Sequence, residues 1–298
     1  MANSKLRTNG EKAFAVFNYT FVTILCVICL YPLWYVLVCS LSDPILLYMN
    51  RGIMVWPLGK WSLRGYKLVL DNPNIYTGFR NTLIYLGAGT LLNMFLTITA
   101  SYALSRKQCY WNGTIMKIIA FTMYFHGGLI PFYLMVKNMG LLDTYSSIIL
   151  PVAVSTWNLI VMRTSFAGIP DSLEESARLD GANDWTILWR IFFPLAQATI
   201  AVIALFYAVY WWNNWFNPSI FLSSKSKYPL QLVLREILLK NDTSAMTQIG
   251  SVGQSQQEQY RMLVKYCTII VSTVPILVVY PFLQRYFVKG VMIGSIKG

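Results

Sequence analysis

Charged residues are scarce in this chain of 298 residues, where Asp, Glu, Lys and Arg together make up 12% of the sequence. Soluble domains carry about 25% charged residues, so the shortage argues against a soluble protein. Apolar runs of about 20 residues or more, the length that crosses a bilayer as a helix, fill the chain instead. These runs do not alternate between polar and apolar residues, which excludes transmembrane β-strands. The sequence therefore predicts an all-α integral membrane protein with six transmembrane helices, at about 14–41, 81–104, 115–136, 144–165, 198–222 and 264–288.

Residues that bind metals or perform catalysis are also few. His126 is the only histidine, and one imidazole without converging acids or cysteines does not make an ordinary zinc site. Cys26 and Cys29 have the spacing of metal ligands, but a second pair of ligands is missing and packed free thiols are expected. The phosphate-binding pattern Gly-x-x-x-x-Gly-Lys-Ser/Thr is absent too. An intramembrane enzyme would need acid–base or metal groups inside its spans, so this alternative class is disfavoured.

The net charge of +12 is carried mainly between the apolar spans. Because no basic stripe is interleaved with aromatic residues, membrane lipid headgroups are the expected anionic partner and nucleic acid is not. Lys and Arg in short segments favour the cytoplasmic side. The N-terminal tail (about 1–13), the short loop with Arg106 and Lys107, and the C-terminus are therefore predicted to be cytoplasmic. The long loops at about 42–80 and 223–263 then lie outside, within one six-span domain covering 14–298.

An acidic island interrupts the apolar sequence. Five of the twelve acidic residues fall between Asp171 and Asp184. Ser172 and Glu175 have the spacing of a capping box at the start of a helix. Gly181 is placed to end that helix in a left-handed conformation. The pattern predicts a helix of about two turns, a length that is marginal in isolation.

A second helix is predicted behind this glycine. Asn183 or the aspartate after it can cap the helix, which is expected to stop at Pro194 and to lead into the fifth span. The small side chains of Ser176 and Ala177 would let another surface approach the first helix closely. We interpret the island as a docking helix for a cytoplasmic partner rather than as a solvated loop, because conspicuous polar loops on rigid scaffolds often carry function.

The island resembles the EAA loop of ABC importer permeases, whose pattern is Glu-Ala-Ala, then Gly, then nine residues, then Ile-x-Leu-Pro. The likeness is carried by Glu-Glu-Ser-Ala at 174–177, Asp-Gly-Ala at 180–182 and Ile-Phe-Phe-Pro at 191–194. Ser176 replaces the first alanine of the pattern and Phe193 replaces its leucine. The corresponding cytoplasmic loop would cover about 166–197.

Two further segments narrow the resemblance. Ala-Ser-Tyr-Ala-Leu-Ser-Arg at 100–106 is similar to the carbohydrate branch of these permeases, and the tail at 290–298 resembles that of MalG-type subunits. The resemblance implies a type I importer permease (MetI/MalG-like) fold in a bacterial cell membrane, closest to permeases for complex oligosaccharides and polysaccharide fragments. An ABC permease for another solute, such as an amino acid or phosphate, is the alternative.

The resemblance also implies partners. A coupling helix would seat on a cytoplasmic ATPase through Glu174, Glu175, Ser176, Ala177, Asp180 and Gly181. Glu175 would pair with a basic or polar group of the ATPase, and Gly181 would make the turn. Two ATPase subunits would bind ATP and Mg, so this chain is expected to carry no cofactor. A second homologous permease subunit, an extracellular solute-binding protein and an oligosaccharide substrate complete the implied system.

A group of aromatic residues is a candidate contact surface for the substrate. Tyr207, Trp211 and Trp215 recur every four residues and are predicted to share one helix face, with Asn214 beside them. Aromatic rings next to amides suit the C–H faces and hydroxyls of sugars, although an aromatic belt at the headgroups is the alternative. His126 is the remaining candidate for the substrate pathway, with a hydrogen-bonded packing role as its alternative.

Other polar residues leave similar choices open. Asn81 and Asn93 of the second span either join helices or line the pathway. The predicted outer side is more basic than acidic. A positive outer funnel would favour an anionic oligosaccharide, or would answer an acidic face on the binding protein. Lys225 and Lys227 belong to this outer charge.

Overall fold

The structure, a computed structural model, describes residues 8–50, 52–106, 108–125, 127–240 and 259–278. Within these ranges the regular structure is helical, which confirms the predicted all-α class. In chain order the helices are α1 (Asn9–Ser40), α2 (Pro44–Met49), α3 (Arg64–Leu70), α4 (Pro73–Ser105), α5 (Asn112–Phe121), α6 (Leu129–Asn138), α7 (Ser146–Ile149), α8 (Thr156–Ala167), α9 (Asp171–Leu179), α10 (Asp184–Ile187), α11 (Phe193–Leu195), α12 (Gln197–Asn213), α13 (Phe216–Phe221), α14 (Leu230–Lys240) and α15 (Gln259–Val278).

Several of these helices have the length and composition of membrane spans. Three helices are long and apolar enough to cross unbroken, namely α1, α4 and α15. Two bent pairs also qualify: Ser146–Val152 with α8, bent by 48°, and Asp184–Leu195 with α12, bent by 86°. The predicted span at 115–136 is divided into α5 and α6, ten residues each. The sixth predicted span is described only as far as Val278, and six remains a predicted number.

The first helix begins earlier than the sequence pattern indicated. Its N-cap is Thr8, whose hydroxyl accepts from the amide of Glu11 at 3.3 Å while the Glu11 carboxylate accepts from the Thr8 amide at 2.8 Å. This capping box starts α1 at Asn9, so residues 9–13 are helix rather than tail. The apolar run alone marked the predicted start at about residue 14. The polar residues before it cap the helix and extend it beyond that run.

The described residues form two compact units, one within 8–72 and 259–273 and the other within 73–240 and 274–278. In the first unit, α15 packs closely on α3: a Cβ at Gly65 would lie 2.6 Å from the sulfur of Cys267. Cys267 also donates to the carbonyl of Ser40 at 3.4 Å, and the Ser40 hydroxyl lies 2.6 Å from that of Tyr66. Cys267 is therefore a packed free thiol. Cys26 and Cys29 are free too, but they are exposed on α1, so the packing expected of them is wrong within the described chain.

Helix α4 is the centre of the second unit and contacts α8, α12 and α14. A buried stripe of small and polar residues runs along it at four-residue spacing: Asn81, Tyr85, Gly89, Asn93, Thr97 and Ser101. Residues four apart share a helix face, and small or hydrogen-bonding side chains let membrane helices pack closely. The stripe is therefore the face that joins α4 to its neighbours.

The middle of this stripe holds α12 against α4. A Cβ at Gly89 would lie 2.2 Å from the indole of Trp211. The indole N–H of Trp211 donates to the side-chain oxygen of Asn93 at 2.8 Å. The amide group of Asn93 in turn donates to the carbonyls of Val152 and Ala153, at 2.8 and 2.7 Å. Asn93 thus joins helices, which is one of the two roles that its sequence position left open.

Gly89→Ala is expected to lower the free energy of unfolding by about 1–3 kcal/mol, the usual cost of overpacking a filled interior. Gly87→Ala is the matched control, since it lies one half-turn away and nothing lies within 4 Å of its Cβ position. The measurement is the fraction of purified protein that stays monodisperse in detergent after heating. Equal midpoints for the two variants would contradict the packing of Trp211 on α4.

Candidate functional site

The acidic island folds as the short helix α9, but its start differs from the prediction. The N-cap is Pro170, at φ −57° and ψ 132°, and no side chain caps the helix. The predicted capping box of Ser172 and Glu175 is therefore wrong. Proline fixes φ near −65° and lacks an N–H, so it marks the boundary two residues earlier and leaves Ser172 inside the first turn. Asp171 and Glu174 still place negative charge at the positive end of the helix dipole.

The end of α9 follows the prediction. Gly181 has φ 82°, in the left-handed region that glycine adopts without strain. Its amide donates to the carbonyl of Arg178 at 3.0 Å, and the amide of Ala182 donates to that of Ala177 at 2.9 Å. These two bonds form a Schellman motif, which satisfies the last carbonyls of the helix.

The second helix of the island is capped by Asn183, whose side-chain oxygen accepts from the amide of Thr186 at 2.8 Å. It continues from α10 through a π-helical stretch, Leu188–Phe192, into α11. The predicted stop at Pro194 is wrong by one residue, because the helix includes this proline and ends at Leu195. Pro194 has no N–H to donate to the preceding turn, and the wider π turn just before it lets the helix continue without that hydrogen bond. The 86° bend into α12 then turns this segment across the direction of the fifth span.

Glu174 does not face outward, although the sequence pattern grouped it with the exposed acids. It is only 6% exposed. One carboxylate oxygen accepts from Arg106 at 2.7 Å, and the other accepts two bonds from Arg178, at 3.0 and 2.9 Å. Arg178 also pairs with Asp184 at 2.5 Å. The hydrogen bonds to Glu174, together with those to Asp184, raise the pKa of Arg178 above its usual value.

Arg106 connects four elements at the end of α4. Besides Glu174, its guanidinium donates to the carbonyl of Phe166 at 2.9 Å and to the hydroxyl of Ser105 at 3.0 Å. It also lies over the ring of Phe192, 4.4 Å from the ring centroid. Sequence reasoning used Arg106 only as a topology signal and as part of a family motif. The available hint was chemical: a buried charge in an apolar chain requires a partner of opposite sign.

The outer surface of the island is mixed in polarity. Glu175, Ser176, Asp180 and Gly181 are exposed, whereas Ala177 is half-buried against the core. Apolar side chains stand between the exposed polar ones: Leu173, Leu179, Trp185 and Trp189. Leu179 is 89% exposed, at the last helical position of α9. A cluster of exposed large apolar side chains on a short helix between polar ones is typical of an interaction surface.

Tyr207 and Trp211 share one buried face of α12 as predicted, whereas Trp215, the third aromatic residue of the predicted face, lies beyond the helix. The hydroxyl of Tyr207 lies 2.8 Å from that of Thr97 and accepts from the amide of Ser155 at 3.1 Å. The buried side chains of Tyr207 and Trp211 therefore join α12 to the neighbouring elements by hydrogen bonds. Helix α12 ends at Asn213, since the ring of Pro218 would clash with the carbonyl four residues earlier in a continued helix.

This break separates the other two pathway candidates from α12. Asn214 is its C-cap, with an extended ψ of 103°. Trp215 lies beyond the helix, and the guanidinium of Arg235 is 3.8 Å from its ring centroid. His126, the fifth candidate, lies outside the described residues.

A second polar cluster holds residues 223–228, and we call it the outer-loop clamp because this loop is predicted to lie outside. The carboxylate of Asp143 accepts from the amides of Ser223 and Ser224, at 3.1 and 3.0 Å, and from the Ser224 hydroxyl at 2.5 Å. Lys227 pairs with the same carboxylate at 3.1 Å. These donors, the Ser224 hydroxyl foremost, hold the pKa of Asp143 well below its usual range. Lys225 remains exposed beside them.

Helix α4 binds the same loop from its other side. The amide group of Asn81 donates to the carbonyls of Ser226 and Tyr228, at 2.7 and 3.0 Å. The hydroxyl of Tyr85 donates to the carbonyl of Lys227 at 3.0 Å. Asn81 thus ties a loop to α4, and its polar atoms are used within the chain.

Asp143→Asn is expected to speed hydrogen exchange of the Ser223 and Ser224 amides, because a neutral amide accepts more weakly and loses the pair with Lys227. In the native chain the depressed pKa keeps the clamp present above about pH 4, the unfolded value, and the clamp is lost only as pH falls through the lower folded pKa. Exchange mass spectrometry should therefore give constant protection factors from about pH 8 to about pH 5. Asp71→Asn, at an exposed aspartate, is the control. Unchanged protection in Asp143→Asn would contradict the clamp.

Comparisons with known proteins agree with this architecture. Residues 114–293 match the family described as "Binding-protein-dependent transport system inner membrane component". Two proteins of Bacillus subtilis (strain 168) are 36% identical: the Polygalacturonan/rhamnogalacturonan transport system permease protein YtcP, over 97% of this chain and 99% of the relative, and Protein LplC, over 98% and 97%. A solved structure of a bacterial ABC transporter involved in the import of the acidic polysaccharide alginate contains a chain of the same fold. Its TM-score is 0.86 at 30% identity, covering 95% of this chain and 100% of that one.

Proposed function

Because this chain belongs to the family of binding-protein-dependent transport system inner membrane components, we propose that it is one permease subunit of an ATP-driven oligosaccharide importer. Its fold is that of an ABC importer permease, and the family consists of transport subunits. In the proposal, the chain forms half of a translocation pathway, and a second homologous permease subunit forms the other half. Both termini would lie on the cytoplasmic side of a bacterial cell membrane.

The island carries the proposed coupling to ATP hydrolysis. The observation behind it is the short helix α9, fixed at its end by a Schellman motif and surrounded by exposed Leu179, Trp185 and Glu175. Such a surface fits a groove that covers apolar side chains and offers a basic or polar partner to Glu175. Two cytoplasmic ATPase subunits, which would bind ATP and Mg, are the proposed occupants. Ser176 and Asp180 are exposed on the same loop and would share the contact.

Glu175→Lys is expected to abolish co-purification of a P-loop ATPase from the native membrane, because it reverses the charge offered to the groove. Gly181→Pro should do the same by a different route, since proline cannot adopt the φ of 82° that ends α9. Asp71→Lys is the control: it makes the same charge change at an exposed aspartate on the predicted outer side. The readout is the ratio of ATPase to tagged chain after gentle solubilisation. An unchanged ratio in Glu175→Lys would overturn the docking proposal.

An acidic oligosaccharide is the proposed substrate class, and an extracellular solute-binding protein would deliver it. Two of the similar proteins support this class, since one is named for polygalacturonan and the other for alginate, and both are acidic polymers. The net charge of +12 and the exposed Lys225 on the predicted outer side favour an anion over a neutral sugar. A non-sugar solute is the weaker candidate, because no relative compared above is named for one.

In an uptake assay, Lys225→Ala is expected to raise the half-saturating concentration of an oligogalacturonate by about two- to fivefold. This is the change in affinity expected when one solvent-exposed ion pair with the substrate is lost. Lys225→Arg keeps the charge and should behave like the native chain. Lys227→Ala should lower the yield of folded protein as well, since Lys227 is part of the outer-loop clamp. Native uptake after replacement of both lysines would count against the acidic substrate.

A further inference from the structure

We propose that the Arg106–Glu174 pair is a brace that transmits the movement of α9 to α4, so that Glu174 is a positioning residue rather than an ATPase contact. This inference rests on the proposed function, because it presumes that an ATPase pushes on α9. Nothing in the family resemblance assigns a role to Arg106 or joins it to the island. The geometry of the two flanking joints carries the inference.

A glycine lies between α9 and the neighbouring helix on each side, and glycine is the residue with the widest range of backbone angles. Gly168 ends α8 just before Pro170, and Gly181 ends α9 itself. If α9 were held only at these two glycines, a partner that displaces it would rotate the helix about them, and the movement would not reach the membrane helices. Side-chain bonds that cross each glycine, here called braces, would instead transmit the movement of α9 to the membrane helices.

The first brace crosses the joint at Gly168. Arg106 binds the carbonyl of Phe166, at the end of α8, and the carboxylate of Glu174, in α9, with two different nitrogens. The planar guanidinium fixes both directions at once, which a single ammonium group cannot do. The side chains of Arg106 and Glu174 are 9% and 8% exposed, so water and salt screen this pair little.

The second brace crosses the joint at Gly181. Arg178 binds Glu174 within α9 and Asp184 at the start of α10. Its side chain is 35% exposed and that of Asp184 is 64% exposed, so this pair is the weaker of the two. Glu174 is common to both braces and uses one oxygen for each. A movement of α9 would therefore reach α4 and α8 through Arg106, and α10 through Arg178.

The test uses the assembled importer in proteoliposomes, with its binding protein, and measures substrate transported per ATP hydrolysed. Glu174→Gln and Arg106→Gln should each lower this ratio by about fivefold or more, within the usual range of coupling between sites. The double variant should be no worse than either single variant, because residues that act as one unit are not additive. Arg106→Lys should rescue part of the ratio, since it restores one charge but not the fork.

Two results would overturn the brace. The first is a normal ratio in the Glu174→Gln complexes that do assemble, even if fewer of them form, because a purely structural role changes yield alone. The second is a double variant whose loss is the product of the two single losses. Arg178→Gln, on the exposed brace, should lower the ratio less than Arg106→Gln, and the reverse order would contradict the assignment of the main path to Arg106.

Glu175→Gln separates this inference from the proposed function. Glu175 is the neighbouring residue of the same type, but it is exposed. Its loss should reduce the amount of ATPase recovered, so this recovery tests docking without altering the Arg106–Glu174 pair. Normal recovery would count against ATPase docking. Reduced recovery, combined with a normal ratio in Glu174→Gln, would leave docking intact and reject only the brace.

Discussion

A buried charge in an apolar chain has to be paired, and the second unit of this protein is organised around one such pair. Removing a carboxylate from water without a partner costs several kcal/mol or more. Glu174 meets this constraint with Arg106 and Arg178, which together supply three N–H donors to its two oxygens. The constraint fixes where α9 lies against the end of α4. It also explains why a helix too short to be stable alone has a defined position.

The same constraint divides the acids of the island into two groups with different tasks. Glu174 is buried and paired within the chain, and Asp184 pairs with Arg178, which also binds Glu174. Glu175 and Asp180 remain exposed, together with apolar side chains that no part of the described chain covers. An acidic cluster that looks uniform in the sequence is therefore an internal anchor next to an external surface. If the island docks an ATPase as proposed, docking and transmission are expected to respond to different mutations.

Local signals in the sequence were sufficient for some features and failed for others. Gly181 ended α9 as predicted, because a left-handed residue after a helix is a local requirement. The capping box at Ser172 failed because Pro170 competes for the same boundary, and the shared face of Trp215 failed because Pro218 acts on a residue four positions earlier. The pairing of Arg106 with Glu174 joins residues 68 positions apart. Composition can demand such a partner for a buried charge, but only the fold identifies it.

The outcome of a push on α9 depends on how firmly α4 is held within its own unit. The stripe along α4 bonds to several elements along its length: Asn81 to the loop at 223–228, Asn93 to the turn before α8, Thr97 to α12 and Ser101 to the carbonyl of Leu159 in α8 at 3.0 Å. A helix secured along its length by buried hydrogen bonds and close contacts moves with its neighbours rather than past them, because packed interiors transmit strain. Force that enters α4 at Arg106 would therefore displace the helices attached to this stripe together. The outer-loop clamp lies at the far end of the same stripe, so the bonds that fix α4 also link the acidic island to the surface proposed to receive the substrate.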